Sequence, residues 1–299
     1  MRSVNSIIDA ARERIGPRTT GILVSGAALL TAVLAIPAVQ QSPVGVVATT
    51  VAEAPAQIAK SVEQVIDQQY VGFDTNIYPG DRAMTVWAKD GTYDWVGFYL
   101  EAPCHHDDSW SGKRDTLSKM GWGVAVVYVG QQVWRTTKKQ KRGSNCATSF
   151  LTAANGARDG ADAIAKVSKE GFAQGSIIFL DIERMDRIPA SMRAYYTAWT
   201  KAVLTSGKYR PGFYAHTDNA KEIHDDVKNV FASLGDPSDP PFWIAGNTRV
   251  FSTDKVPTDV GHTFAAVWQG ILDVTRTHAG VRLPIDINVA SVRSPSSSP

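Results

Sequence analysis

The sequence holds only two cysteines among 299 residues, too few for a disulfide-built scaffold or a four-cysteine zinc site. Neither sign of charge is in excess: 31 Lys and Arg against 29 Asp and Glu leave a formal net charge of +2. A nucleic-acid binder carries a strong basic surplus, so this balance argues against that class. No glycine-rich loop opens any helical stretch, which leaves a nucleotide-binding sheet without support. What is present is an apolar fraction of 43% with 20% charged residues, which excludes a disordered or collagen-like chain. The core must come from ordinary hydrophobic burial, in one large domain or two small ones.

Charge is also missing locally, from Thr19 to Ala52. Within that span Gly21–Ile36 is almost wholly apolar. Arg2, Arg12, Arg14 and Arg18 precede it, against Asp9 and Glu13. A positive region before an apolar one reads as an export signal. Small residues at Ala35-Ile-Pro-Ala38 and Ala52-Glu-Ala54 offer cleavage points. Extending the apolar core to Ala38 instead brings it near the roughly 20 residues of an uncleaved anchor. No arginine pair is present ahead of it, which favours a general secretory route. The alternative, a buried helix of a soluble domain, is disfavoured because the segment has no polar face. Residues 1–38 are therefore expected to be a signal peptide or membrane anchor, which makes the protein secreted or envelope-bound, with membrane contact through that segment alone. Residues 39–68 read as a linker with a short amphipathic helix, from Ile58, Val62, Val65 and Ile66 at helical spacing. Residues 293–299 have the composition of a disordered tail.

The remaining 69–292 is close to the size of a (β/α)8 barrel, about 250 residues. Eight short apolar runs recur there: Tyr70–Phe73, Trp95–Leu100, Trp122–Val129, Ile177–Leu180, Tyr209–Tyr214, Phe242–Ala245, Phe264–Trp268 and Pro284–Ile287. They are apolar on both faces, as parallel strands under helices are. Helical spacing fills Ala153–Phe172, Ser191–Leu204 and Asn219–Leu234 between them. The alternation predicts an α/β fold, a closed parallel (β/α)8 TIM-type barrel.

Active sites of such barrels form at the C-terminal ends of the strands. Strand one ends in Phe73-Asp74-Thr75-Asn76, strand two in Tyr99-Leu-Glu101 and strand four in Asp181-Ile-Glu183. Strand five ends in Tyr214-Ala-His216, strand six in Gly246-Asn247, strand seven in Trp268-Gln269 and strand eight in Asp286-Ile-Asn288. Carboxylates directly after apolar strand residues are costly to bury unless paired or functional. Asp181 and Glu183, two apart on a strand, point the same way about 6.6 Å apart. Two close carboxylates cannot both ionise freely, so one becomes a general acid and the other stabilises positive charge, as glycosidic cleavage requires. The alternative is a structural pair bound to Arg184 or a lysine. Asp74 and Asp286 at other strand ends favour a site.

These strand ends, in this order, resemble glycoside hydrolase family 25, the Chalaropsis-type lysozymes. The resembling pieces are Gly72-Phe-Asp74, Asp181-Ile-Glu183, Phe213-Tyr214, Trp243-Ile-Ala, Trp268-Gln269 and Asp286-Ile-Asn288. The opening Gly72-Phe-Asp74-Thr75-Asn76, followed by Phe98-Tyr99-Leu100, is similar to a related exported family, the glycoside-hydrolase-like domain of unknown function 1906. The lysozyme resemblance implies that Glu183 is the general acid, that Asp181 orients a substrate N-acetyl group acting as internal nucleophile, and that Asp74 and Asp286 support the site. It implies Tyr214 against the intermediate, and peptidoglycan, cut at a β-1,4 linkage, as substrate. Trp268, Gln269, Asn288 and Glu101 complete the expected substrate contacts, and no cofactor is implied. Strand two, Tyr99-Leu-Glu101-Ala-Pro-Cys104, departs from the lysozyme pattern. A barrel that binds wall glycan for envelope remodelling, with little or no catalysis, is the second reading.

Cys104-His105-His106-Asp107-Asp108 holds metal-ligating residue types, but adjacent side chains rarely converge on one ion and the i, i+4 histidine spacing is missing. The expectation is a polar loop and no metal. Cys104 and Cys146 are either a disulfide, favoured in an exported protein, or two buried thiols. A bridge closing about 43 residues would contribute roughly 4 kcal/mol in the chain-entropy model. The basic run from Arg135 to Arg142 is a solvated loop or an attractor of anionic wall polymers. Trp95, Trp122 and Trp243 are expected in the core. Trp87, Trp110 and Trp268 are placed to stack on sugar rings or to pack.

Overall fold

The structure is a computed structural model that describes residues 69–133 and 146–297. The expected export segment, the linker helix and the basic run at 135–142 lie outside the described residues. Eight strands form a closed barrel in chain order. They are β1 (Tyr70–Asp74), β2 (Trp95–Leu100), β3 (Gly123–Val129), β4 (Ile177–Ile182), β5 (Arg210–His216), β6 (Phe242–Ala245), β7 (Ala265–His278) and β8 (Val281–Ala290). Among the described residues the helices are α1 (Asp81–Asp90), α2 (Arg114–Met120), α3 (Ala153–Lys169), α4 (Ala190–Thr205) and α5 (Thr217–Ser233). Each expected strand is present, and α3, α4 and α5 match the three expected helical stretches.

Strand alternation sorts the core into two layers. Trp95, Ala125, Val127, Ile177, Phe179, Trp243, Val267 and Ala290 fill the lumen. Their neighbours along each strand, such as Val96, Phe98, Val126, Leu180 and Trp268, face outward into the second layer of the core. The lumen is crowded at its base. A Cβ on Gly72 would sit 2.1 Å from the indole of Trp95, so only glycine lets β1 pass that ring.

The expected all-parallel barrel needs correction. β1 through β7 run parallel, but β8 is antiparallel to both β7 and β1. No α-helix follows β6 or β7 among the described residues. A two-residue turn joins β7 to β8, with Ala279 at φ 45° and Gly280 at φ 80°. Positive φ at both central residues gives the turn whose twist matches a hairpin, and a turn that short can only reverse the chain. The hairpin stem extends well past the barrel and docks on α1. Trp87 Nε1 donates to the carbonyl of Val281 at 3.1 Å, and His278 Nδ1 lies 2.7 Å from Asp90. Asp286 therefore does not end strand eight. It lies within a descending strand, opposite Asp74.

The expected disordered tail is also corrected, through Ser297. The Ser296 N–H donates to the Val124 carbonyl at 3.0 Å, and its own carbonyl accepts from the Ile177 N–H at 2.8 Å. Val126 N–H donates to Ser296 Oγ at 2.6 Å and Val124 N–H to Ser294 Oγ at 3.0 Å. Direct β3–β4 pairing begins only at Val126 and Ile178. The tail supplies partners for strand groups below that point, which burial would otherwise leave unsatisfied. Its approach needs Gly123, where a Cβ would meet the Arg293 carbonyl at 1.8 Å.

Cys104 and Cys146 are joined in a disulfide, with Cα atoms 4.9 Å apart. A non-reducing peptide map of the native protein should show these two cysteines linked; alkylation of both without reductant would exclude the bridge. Ending the chain at Val292 should remove the hydrogen bonds that Ser294 and Ser296 make with β3 and β4 and lower the melting temperature by roughly 5–10 °C. An unchanged melting temperature would show that the tail adds nothing to stability.

Candidate active site

The C-terminal ends of β1 and β4 and the descending β8 bring Asp74, Asp181, Glu183 and Asp286 to one mouth. Asp74 is the best secured. Tyr99 donates its hydroxyl to Oδ1 at 2.7 Å, while Gln269 Nε2 and Asn288 Nδ2 donate to Oδ2 at 2.9 and 2.8 Å. Three elements thus converge on one carboxylate: β2, β7 and β8. Burial still raises its pKa, against the lowering effect of those three bonds.

Asp286 stands opposite Asp74 in the β1–β8 register. It accepts from Gln269 Nε2 at 3.3 Å and from the Asp273 N–H at 2.6 Å. The register of β7 shifts between Ile271 and Val274, and Asp273 there takes φ 52°. An irregularity of this kind bends a strand and re-aims its groups; here it turns an N–H onto the carboxylate. Burial first, then the charge of Asp74, push Asp286 up to about 7.

Asp181 is 8% exposed, and its Oδ1 has no hydrogen-bond partner among the described residues. Burial, Glu183 and Asp74 all raise its pKa, well above the usual carboxylate range. Glu183 is exposed at the mouth. The protein mass around it raises its pKa, opposed by the Arg184 backbone N–H. Tyr214, beside these groups, donates to Gln269 Oε1 at 2.7 Å. Burial and the surrounding carboxylates raise its phenol far above its usual value.

Gln269 therefore links Tyr214, Asp74 and Asp286 through one amide. Asn288 Oδ1 accepts from Trp243 Nε1 at 2.9 Å, which commits its other end to Asp74. Both expected contacts belong to the site as its framework. Two others do not join it. Trp268 is fully buried on the outer side of β7 and donates Nε1 to the Gly246 carbonyl at 2.8 Å, because Gln269 takes the inward position next to it. Glu101 lies beyond β2 and lines a separate groove with Arg158, Asp162 and Lys166, where Lys166 Nζ donates to its carbonyl at 2.8 Å. Trp87 and Trp110 are core residues too.

The Cys104–Asp108 run does not form a ligand set. Cys104 is in the disulfide, His105 packs on Tyr99 with ring centroids 5.3 Å apart, and Asp107 accepts from the Ser109 N–H at 3.0 Å. At the mouth, His216 caps α5 by accepting from the Asp218 N–H at 3.2 Å. Asn247 donates to the Val260 carbonyl. Two residues that hold these carboxyl-bearing segments were given no role from sequence: Tyr99, named only among the residues that end strand two, and Gln132, from the exit of β3. Gln132 Nε2 donates to the Asp181 carbonyl at 2.8 Å, and its Oε1 accepts from the Glu183 N–H at 3.1 Å.

No curated protein matches the chain. Among solved structures, an uncharacterized protein of B. stearothermophilus is 18% identical with a TM-score of 0.51, covering 74% of this chain and 95% of the other. The spore cortex lytic enzyme SleM of Clostridium perfringens is 14% identical with a TM-score of 0.51, covering 76% and 68%. These two share the fold. The Mycobacterium tuberculosis Tat-secreted protein Rv2525c, in complex with L-tartrate, is 14% identical with a TM-score of 0.45, covering 74% and 94%. The model of one domain family spans 85–290, a range that contains Asp181, Glu183 and Asp286 and begins after Asp74. The chain belongs to that family, described as the Rv2525c-like, glycoside hydrolase-like domain.

Proposed function

We propose that this protein is an exported hydrolase that cuts a β-1,4 glycosidic bond of cell-wall peptidoglycan in the manner of a muramidase. The observation that carries the reading is the Asp181–Glu183 pair, two carboxyls on one strand end with raised pKa values and one oxygen left without a partner among the described residues. The export segment at 1–38 agrees with an envelope substrate, and the shared fold with a spore cortex lytic enzyme agrees with a lytic role.

Glu183 is the proton donor to the leaving oxygen, since it combines solvent access with a raised pKa. Asp181 accepts the N–H of a substrate acetamido group at its free Oδ1 and orients the acetamido oxygen for attack at the anomeric carbon. The cluster's negative charge stabilises the oxocarbenium-like transition state. Tyr214 and Asp286 lie beside that charge, and Asp74 holds the frame through Gln269 and Asn288.

Glu183→Gln keeps the shape and removes the proton. It should reduce release of reducing ends from purified peptidoglycan by at least about 100-fold, with an unchanged melting temperature. Full activity in that variant would refute the assignment. Native protein that binds peptidoglycan and yields no product would support the non-hydrolytic envelope role instead.

The raised carboxyl of Asp286 also ties stability to pH. Its folded-state pKa of about 7 stands above the ordinary 3.8, so between those values the native state holds a proton that the unfolded chain has released. That stabilisation is fully present below about pH 4 and is lost as pH rises through about 7. Asp286→Asn should abolish this loss. The stability difference, variant minus native, should increase across pH 4–7 in denaturant titrations and level off above. A difference that stays flat would show that Asp286 titrates normally.

A further inference from the structure

We propose that Gln132 is a positioning residue that sets the relative placement of Asp181 and Glu183 by clamping their backbones. The proposal rests on the hydrolase reading for its kinetics, and its structural part stands separately.

Gln132 is 4% exposed and leaves the barrel at the end of β3, beside β4. Its two amide atoms meet the Asp181 carbonyl at 2.8 Å and the Glu183 N–H at 3.1 Å. Rotating the amide by half a turn would set oxygen against carbonyl and N–H against N–H, so the partners themselves fix its orientation. β4 ends at Ile182, and β4–β5 pairing likewise ends at Ile182, opposite Ala215. The clamp thus acts where sheet pairing stops supporting the strand, across the step from Asp181 to Glu183. A carboxyl misplaced there by 1 Å can cost about 100-fold in rate.

Gln132 is itself held. Gly130 passes where a Cβ would meet Leu180 at 2.7 Å and the Tyr195 hydroxyl at 2.8 Å. The Gln131 N–H donates to that hydroxyl at 3.1 Å, and the hydroxyl donates to Asp159 at 2.9 Å. Gln131 Oε1 accepts from the Ala147 N–H at 3.0 Å, next to Cys146 in the disulfide, while the Cys104 N–H donates to the Val129 carbonyl at 3.2 Å. Both half-cystines therefore brace the segment that carries the clamp.

The test uses Gln132→Met, of similar length without the amide, and Gln132→Glu. A protonated glutamate has an O–H for the Asp181 carbonyl and an oxygen for the Glu183 N–H, so it reproduces the clamp; an ionised one cannot donate. Two readouts are followed: kcat and KM on peptidoglycan, and the titration of the Glu183 carboxyl by ¹³C NMR. The groups facing Glu183 are Asp181 at the end of β4, Asp286 on β8 and Tyr214 on β5, with the Arg184 backbone N–H beside it; none of these residues is substituted in either variant. Gln132→Met is expected to lower kcat by about 10- to 100-fold, to leave KM within about twofold, and to displace the Glu183 titration. Gln132→Glu is expected to approach native kcat at low pH and to lose it as the new carboxyl ionises. A Glu183 titration superimposed on the native curve in Gln132→Met, or a native pH profile in Gln132→Glu, would overturn the proposal. If Gln132→Met does not fold, Gln132→Glu decides. If the native protein cleaves no wall glycan, the hydrolase reading fails alone, and the titration still decides the role of Gln132.

Discussion

The buried carboxylate of Asp74 is the constraint around which the mouth of this barrel is built. An ionised group in that position needs compensation, and here three neutral donors, Tyr99, Gln269 and Asn288, provide it. A guanidinium in their place would satisfy the same oxygens and also pull every nearby carboxyl pKa down. Neutral donors satisfy Asp74 while leaving its field to act on its neighbours. That field and burial keep Asp181 and Asp286 raised. The choice of amide and phenol over cation thus leaves the carboxyl pKa values of Asp181 and Asp286 raised.

The donors can reach Asp74 because the last strand runs the wrong way for a (β/α)8 barrel. In a parallel eighth strand, residues two apart would rise toward the mouth, and Asn288 would stand above Asp286. Running downward, β8 puts Asp286 beside Asp74 at the rim and Asn288 one step deeper, where it bridges Trp243 to Asp74. The shifted register in β7 then turns the Asp273 N–H toward Asp286. Barrel closure and site construction are one event, and the hairpin that replaces the final crossover helix is secured on α1 by Trp87 and His278.

Much of this was legible in the sequence because burial leaves a simple mark. Both-sided apolar runs located every strand, and polar residues directly after those runs located Asp74, Asp181 and Glu183. Direction leaves no such mark. An apolar run reads the same whether the strand rises or descends, so the eight runs read as parallel. The signal was there in His278-Ala279-Gly280-Val281, a two-residue turn flanked by alternating residues. Alternation also decides the tryptophans: Gln269 faces in, so Trp268 must face out. Glu101 misled for a related reason. Its strand ends at Leu100, and beyond that point inward parity no longer applies. The serine-rich tail looked disordered by composition, yet short hydroxyl side chains are what fit between β3 and β4 as backbone partners.

Nothing in the sequence marks Gln132, and the reason is physical. Chemistry is marked in a sequence by groups that titrate, and an amide does not. Holding a strand end requires one donor and one acceptor that never change with pH, a requirement met by glutamine and failed by glutamate at neutral pH. A carboxylate at 132 would also add charge to a mouth already crowded with acids. The two demands, fixed hydrogen bonding and electrical neutrality, select the same amide group at Gln132, Gln269 and Asn288. In this barrel uncharged amides fix where the acids of the mouth stand.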